Sequence, residues 1–115
     1  RGDVQEALDE DRTVAVTWLP WRSLPPAGSL GPLDPSAPLV VAHALTHYLF
    51  ACSVTKEVIC FEYVPGSGWR SPISLGGEVT GLAAATHLDN TVEVFARRAA
   101  DDEIVSRRQV APGRW

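Results

Sequence analysis

Long apolar runs are missing from this chain of 115 residues. No stretch approaches the roughly 18 apolar residues of a membrane-spanning helix, so no span is expected. The chain opens on Arg1, Gly2 and Asp3, and no charged and apolar leader is visible. That tripeptide matches an integrin ligand, but three residues match by chance too easily to carry a function. Cysteine is nearly absent. Cys52 and Cys60 supply too few ligands for a zinc site and read either as packed thiols or as one bridge across a hairpin.

An excess of basic charge is also lacking. Lysine and arginine number 10 against 14 acidic residues, a net charge of -4. Release of counterions from phosphates needs a basic field, and the compact basic clusters are only Arg97 with Arg98 and Arg107 with Arg108. Nucleic acid is therefore not an expected partner. No G-x-S-x-G elbow, P-loop or dinucleotide glycine fingerprint occurs, and Asp101, Asp102 and Glu103 fall in a polar turn where solvation keeps carboxylates ordinary. No catalytic residue and no cofactor is expected.

What the sequence does contain is a repeat. Trp69 and Trp115 each follow a Pro-Gly turn, Val64 to Gly68 and Val110 to Arg114, and the two turns align without a gap. Upstream, Phe50 and Ala51 match Phe95 and Ala96 with one inserted residue between the blocks. Val40, Val41, Ala42 and His43 match Ala84, Ala85, Thr86 and His87. Trp21, Arg22 and Ser23 are echoed by Trp69, Arg70 and Ser71, and Leu30 and Gly31 by Leu75 and Gly76. The chain is thus expected to be one folding unit over 1–115, divided into a partial repeat 1–21, a repeat 22–69 with a Pro-rich surface loop 24–38, and a repeat 70–115.

The repeat reads as strands. Val92, Val94 and Ala96 alternate with Glu93, Phe95 and Arg97, the period of a half-buried strand. Leu82 to Thr86 is apolar enough for a buried inner strand, Asp89 and Asn90 supply a turn, and Ala100 to Asp102 turn the chain into a strand over Ile104 to Gln109. The first unit turns around Thr55 and Lys56, and the opening segment suggests strands at Val4 to Leu8 and Thr13 to Trp18 about a turn at Asp9 to Arg12. A helix over 39–54 would line up Leu39, Ala42, His43 and Leu49, but the aligned second unit argues against it. His43 and His47 would share a face of that helix; on strands they are expected to diverge, so no metal site is predicted.

The second unit, with its tryptophan and Leu75-Gly76-Gly77 start, Asp89-Asn90 turn, Glu93-Val94-Phe95-Ala96-Arg97 block and Gln109 to Trp115 close, resembles the repeat of bacterial β-propeller lectins, including fucose-binding ones. The likeness covers 68–115 well. The first unit lacks the acidic-Asn turn, the Glu-Val-Phe-Ala-Arg block and the second glycine after Leu30, but retains Phe50, Ala51 and the closing Pro65 to Trp69. The resemblance implies an all-β fold of four-stranded antiparallel blades, an incomplete ring in one chain, and sugar pockets between neighbouring blades. It also implies a secreted or cell-surface location. Trp69 and Trp115, with Arg70, His87, Glu93 and Arg97, are the candidate sugar-binding residues; the same tryptophans serve equally as packing markers between blades. Two units and a remnant do not close a ring, so further copies of the chain or another chain are expected partners. Alternatives are a β-trefoil fold, an interaction domain that has lost sugar binding, and a non-catalytic fragment of a larger propeller enzyme.

Overall fold

A computed structural model describes residues 17–115. The proposed strand at Val4 to Leu8, the turn at Asp9 to Arg12 and the Arg1 to Asp3 tripeptide lie outside the described residues, as does most of the strand proposed at Thr13 to Trp18. The described chain is all-β, two antiparallel sheets without an α-helix among the described residues. The segment 39–54 forms strands, as the repeat required.

Sheet one contains β1 (Val40–His43), β2 (His47–Cys52) and β3 (Val58–Val64), followed by β4 (Gly68–Trp69) and β5 (Ile73–Gly76). β4 and β5 both pair with β3, so they are two halves of one interrupted fourth row. Sheet two contains β6 (Val79–Thr86), β7 (Val92–Arg98) and β8 (Ile104–Arg108), in that order, with no fourth row among the described residues. Neither sheet closes into the barrel a trefoil requires.

Hydrophobic alternation decides which faces meet. Tyr48, Phe50, Cys52, Val58 and Cys60 point from sheet one into a common core with Val92, Val94 and Ala96 of sheet two. Alternation in β7 is as the sequence indicates, because those three residues are buried while Glu93 and Phe95 are only half-buried on the other face. The opposite face of sheet one buries Ala51, Ile59 and Phe61 beneath Leu24 and Leu30 of the Pro-rich segment. That segment is a loop with one 3-10 turn at Gly28–Leu30.

Leu82 to Thr86 departs from expectation. It is not a buried inner strand: β6 is half-exposed over this stretch, because among the described residues only one face of sheet two is covered. Backbone and side-chain bonds fasten β6 and its neighbours to sheet one: Val79 N donates to Lys56 O (2.9 Å), Thr86 Oγ1 to His43 O (2.6 Å) and Arg107 Nη1 to Leu75 O (2.9 Å). The chain passes between sheets at Gly77, whose φ of +87° disfavours any side chain and where a Cβ would crowd Val79 Cγ1 at 3.3 Å.

The ladders of the two sheets share one register. Phe50 faces Cys60 and Phe95 faces Ser106; Tyr48 faces Glu62 and Glu93 faces Arg108. Every rung of β7 and β8 coincides with one of β2 and β3 when Phe50 is laid on Phe95 and Cys60 on Ser106. The single extra residue falls in the turn, where Ser53 N donates to Glu57 O and, correspondingly, Arg98 N to Glu103 O. Lys56 and Asp102 occupy the same left-handed turn position, with φ of 69° and 60°. The first strands align one residue differently from the sequence match. Phe50 pairs with Val40, whereas Phe95 pairs with Ala83, so His43 corresponds to Thr86 and not to His87. The hairpin loops explain the slip: Ala44 N closes on Thr46 O in one and His87 N on Thr91 O in the other, a loop two residues longer.

Candidate functional site

A small cavity opens where the ends of the two sheets meet, about 270 Å³ and lined by Leu45, Thr46, Tyr48, Glu62, Arg70, Asn90, Pro112 and Gly113. Its polar wall is built across strands. Tyr48 of β2 and Glu62 of β3 are cross-strand partners, both on the face toward sheet two. Glu62 Oε2 accepts from Thr46 Oγ1 (2.7 Å) and Tyr48 Oη (3.3 Å). Arg70 follows β4, its N–H bonded to Glu62 O at 2.9 Å, and its Nε lies 3.8 Å from Glu62 Oε1. Glu62 is 18% exposed and Arg70 66%, so a fixed carboxylate sits at the back with a guanidinium at the mouth.

Trp115 stands behind this wall. Its indole meets Phe50 and Tyr48 edge-on, with centroids 5.9 and 6.4 Å apart, so it packs the core and braces the tyrosine. Trp69 is elsewhere, on the opposite face of sheet one, against Tyr63 at 5.3 Å. With Trp18, Trp21 and Arg22 it borders a wide cleft of about 980 Å³. Trp18 and Trp21 are 90% and 102% exposed, so no packing among the described residues holds those indoles.

The other predicted residues occupy the uncovered face of sheet two. His87 Nε2 and Glu93 Oε1 are 2.8 Å apart, and Ser106 Oγ donates to Glu93 Oε2 at 2.7 Å. These hydrogen bonds, Ser106 first and His87 second, hold the Glu93 carboxyl below the usual glutamate range. Arg97 lies farther along β7, where its Nη1 reaches Asp102 O at 3.4 Å. The six predicted residues therefore do not converge: Arg70 lines the inter-sheet cavity, Trp115 supports it, Trp69 faces away, and His87, Glu93 and Arg97 lie on open sheet. Sequence reasoning missed Thr46, Tyr48, Glu62 and Asn90. Register relates Tyr48 and Glu62 to the rung that Glu93 and Arg108 occupy in sheet two, whereas Thr46 and Asn90 lie in hairpin loops that no ladder rung marks.

Cys52 and Cys60 are buried and unbridged. Both face the inter-sheet core, but Cys52 pairs with Val58 and Cys60 with Phe50, a diagonal relation too long for a disulfide. Burial pushes the Cys60 thiol up to about 12, which makes it inert. His43 and His47 do not diverge. They form the last rung of β1 and β2, and their Nδ1 atoms are 2.5 Å apart.

Among the described residues no group of three or more His, Cys, Asp and Glu side chains is placed to hold a metal, and no helix is long and apolar enough to cross a membrane. No protein-family model, curated protein or solved structure matches the chain.

Proposed function

We propose that the protein is a non-catalytic carbohydrate-binding module whose sheets stack head to tail as propeller blades do, with one sugar unit seated between successive sheets at Glu62 and Arg70. The observation that carries this reading is the inter-sheet cavity itself. Its volume, about 270 Å³, falls just below the roughly 300–1,000 Å³ of drug-sized ligand pockets, which limits it to a single sugar unit. Its wall offers the fixed acceptor and donors that sugar hydroxyls need, and Leu45, Pro112 and the Tyr48 ring offer apolar surface for C–H faces. Fucose and related monosaccharides are the first sugars to test.

Head-to-tail stacking is supported by the faces. Each sheet packs one face against what precedes it in the chain: sheet one against Leu24 and Leu30, sheet two against sheet one. Phe50 points forward into the next sheet, and Phe95, its register equivalent, points forward from sheet two to an unfilled side. Further copies of the chain fill that side in this reading, and β8 takes a fourth row as β3 takes β4 and β5. Avidity from repeated weak sites follows without new contacts.

Titration calorimetry with single monosaccharides tests the site. Glu62→Gln is expected to weaken binding by about 1.5–3 kcal/mol, the value of a hydrogen bond to a charged group, roughly ten- to a hundredfold. Binding unchanged in Glu62→Gln overturns the assignment. A second reading, an interaction domain without sugar binding, draws on one observation: Glu62 Oε2 is already satisfied by Thr46 and Tyr48. Under that reading, no sugar titrates.

A further inference from the structure

We propose that His43 and His47 together chelate a borderline divalent transition-metal ion, Cu²⁺ ahead of Ni²⁺ and Zn²⁺. The two histidines are direct Cα partners on the closing rung of the β1–β2 hairpin. The loop between them is closed by Ala44 N donating to Thr46 O at 2.9 Å, so the separation of the two backbones is fixed by the turn. Directly opposed residues in an antiparallel pair carry Cβ atoms about 4.5–5.5 Å apart and project to the same face. On this rung the rings meet edge to face, centroids 4.7 Å apart at 81°, and Nδ1 faces Nδ1 at 2.5 Å.

In the metal-free protein one Nδ1 donates a hydrogen to the lone pair of the other. Replacing that hydrogen by a metal needs both lone pairs turned from the Nδ1–Nδ1 line toward one point beside it, a rotation of the two rings that starts from Nδ1 atoms already neighbouring. Metal–imidazole bonds of about 2.0–2.1 Å place two cis nitrogens roughly 3 Å apart, so the rings must open by about half an ångström. His43 is exposed, and the ring nearest to His47 besides His43 is Tyr63, 6.0 Å away between centroids, so this opening displaces no core side chain. The backbone behind the pair is held as well, because Thr86 Oγ1 of sheet two donates to His43 O at 2.6 Å.

The donor set determines the metal class. Neutral imidazole suits Cu²⁺, Ni²⁺ and Zn²⁺ and not the oxygen-seeking Ca²⁺ or Mg²⁺, and among the former the affinity order places Cu²⁺ first. With two protein ligands and water in the remaining positions, the site is open and exchangeable, and a bound ion keeps positions for an incoming ligand. His87, the other histidine, is on the far side of sheet two, bonded to Glu93.

Calorimetric titration of the full chain with CuSO₄, NiCl₂, ZnCl₂ and CaCl₂ provides the test, with amide NMR spectra confirming that every variant is folded. Expected is one Cu²⁺ per chain, weaker Ni²⁺ and Zn²⁺, and no Ca²⁺. His43→Gln and His47→Gln are each expected to lose at least about tenfold in Cu²⁺ affinity, the least that disturbing a metal's surroundings costs. His87→Gln is expected to leave the isotherm unchanged. Equal Cu²⁺ affinity in the His43→Gln/His47→Gln double variant overturns the proposal, and so does a loss confined to one of the two single variants.

Discussion

The two sheets are laid out on one register but are covered differently, and the difference separates what the sequence repeats from what the surroundings supply. Sheet one buries both faces, has four rows and closes its β2–β3 turn with hydroxyls: Ser53 Oγ contacts Thr55 Oγ1 at 2.8 Å and accepts from Glu57 N at 3.1 Å. Among the described residues sheet two buries one face and has three rows, and it closes the corresponding turn with the Asp101 carboxylate, which accepts from Glu103 N at 3.1 Å and pairs with Arg98. Equivalent residues therefore carry unequal energies. A Phe at one rung is core in sheet one and surface in sheet two.

Truncating that rung gives the largest expected effect. Phe50 is fully buried, and Phe50→Ala is expected to cost about 3–5 kcal/mol in urea unfolding, whereas Phe95→Ala, at the same rung on the uncovered face, costs less than half as much. Equal losses from the isolated chain would show that the outer face of sheet two is covered in solution, which head-to-tail assembly predicts at high concentration. Repeating the measurement across protein concentration separates the two cases.

Gln109 gives an intermediate effect. It is buried beside the end of β7, where its Oε1 accepts from Val92 N at 2.9 Å and its own N–H bonds Val92 O at 2.9 Å. Gln109→Leu leaves the Val92 amide without its acceptor and is expected to cost about 1–3 kcal/mol. Amide exchange should accelerate first in β7 and β8 and leave β2 and β3 protected. Uniform acceleration would mean that the sheets open as one unit.

Acid gives the smallest effect, falling on the turns of sheet two and, beside sheet one, on the Asp34 carboxyl that Ser36 holds below its ordinary value. Thr91, through hydroxyl and amide, holds the Asp89 carboxyl below its ordinary value of 3.8, and Arg98 does the same for Asp101. A carboxyl depressed in the folded state contributes stability that is complete above the unfolded value and is lost as pH falls through the folded one. Lowering pH through this range is expected to loosen the turns at 87–91 and 98–103, while the hydroxyl-closed turn at 53–57 is unaffected. Amide exchange followed from pH 6 to pH 3, an interval chosen at roughly two units about the carboxylate range, reads both sheets in one experiment.

Much of the fold was legible because strand alternation and turn chemistry are local. Val92, Val94 and Ala96 announced a buried face, and Asp89-Asn90 and Ala100 to Asp102 announced turns, two of them placing Asn90 and Asp102 at positive φ. Register in the first strands was not legible. Val-Val-Ala-His and Ala-Ala-Thr-His look alike but carry no side chain that distinguishes a one-residue slip, and the longer loop after β6 absorbs it. Burial of β6 was misread for a different reason: apolar composition states what a strand tolerates, not what lies against it.

The site was the least legible part. Glu62 and Tyr48 are fourteen positions apart and meet only through the β2–β3 ladder, so spacing along the chain gives no hint of them. The repeated tryptophans drew attention to Trp69 and Trp115, yet one packs the core and the other faces away. His43 and His47 show the same effect at short range. Four positions apart, they would share a face of a continuous strand roughly 13 Å from each other, out of reach, but they face each other directly once a tight hairpin turns between them.

The central claim, that a sugar sits between successive sheets, is tested most directly by following amide shifts across the whole chain while a monosaccharide panel including fucose is titrated in. The account predicts concentration-dependent shifts gathered on Thr46, Tyr48, Glu62, Arg70, Asn90 and Gly113. Saturable shifts gathered instead around Trp21 and Trp69, or no shifts for any sugar, would contradict it.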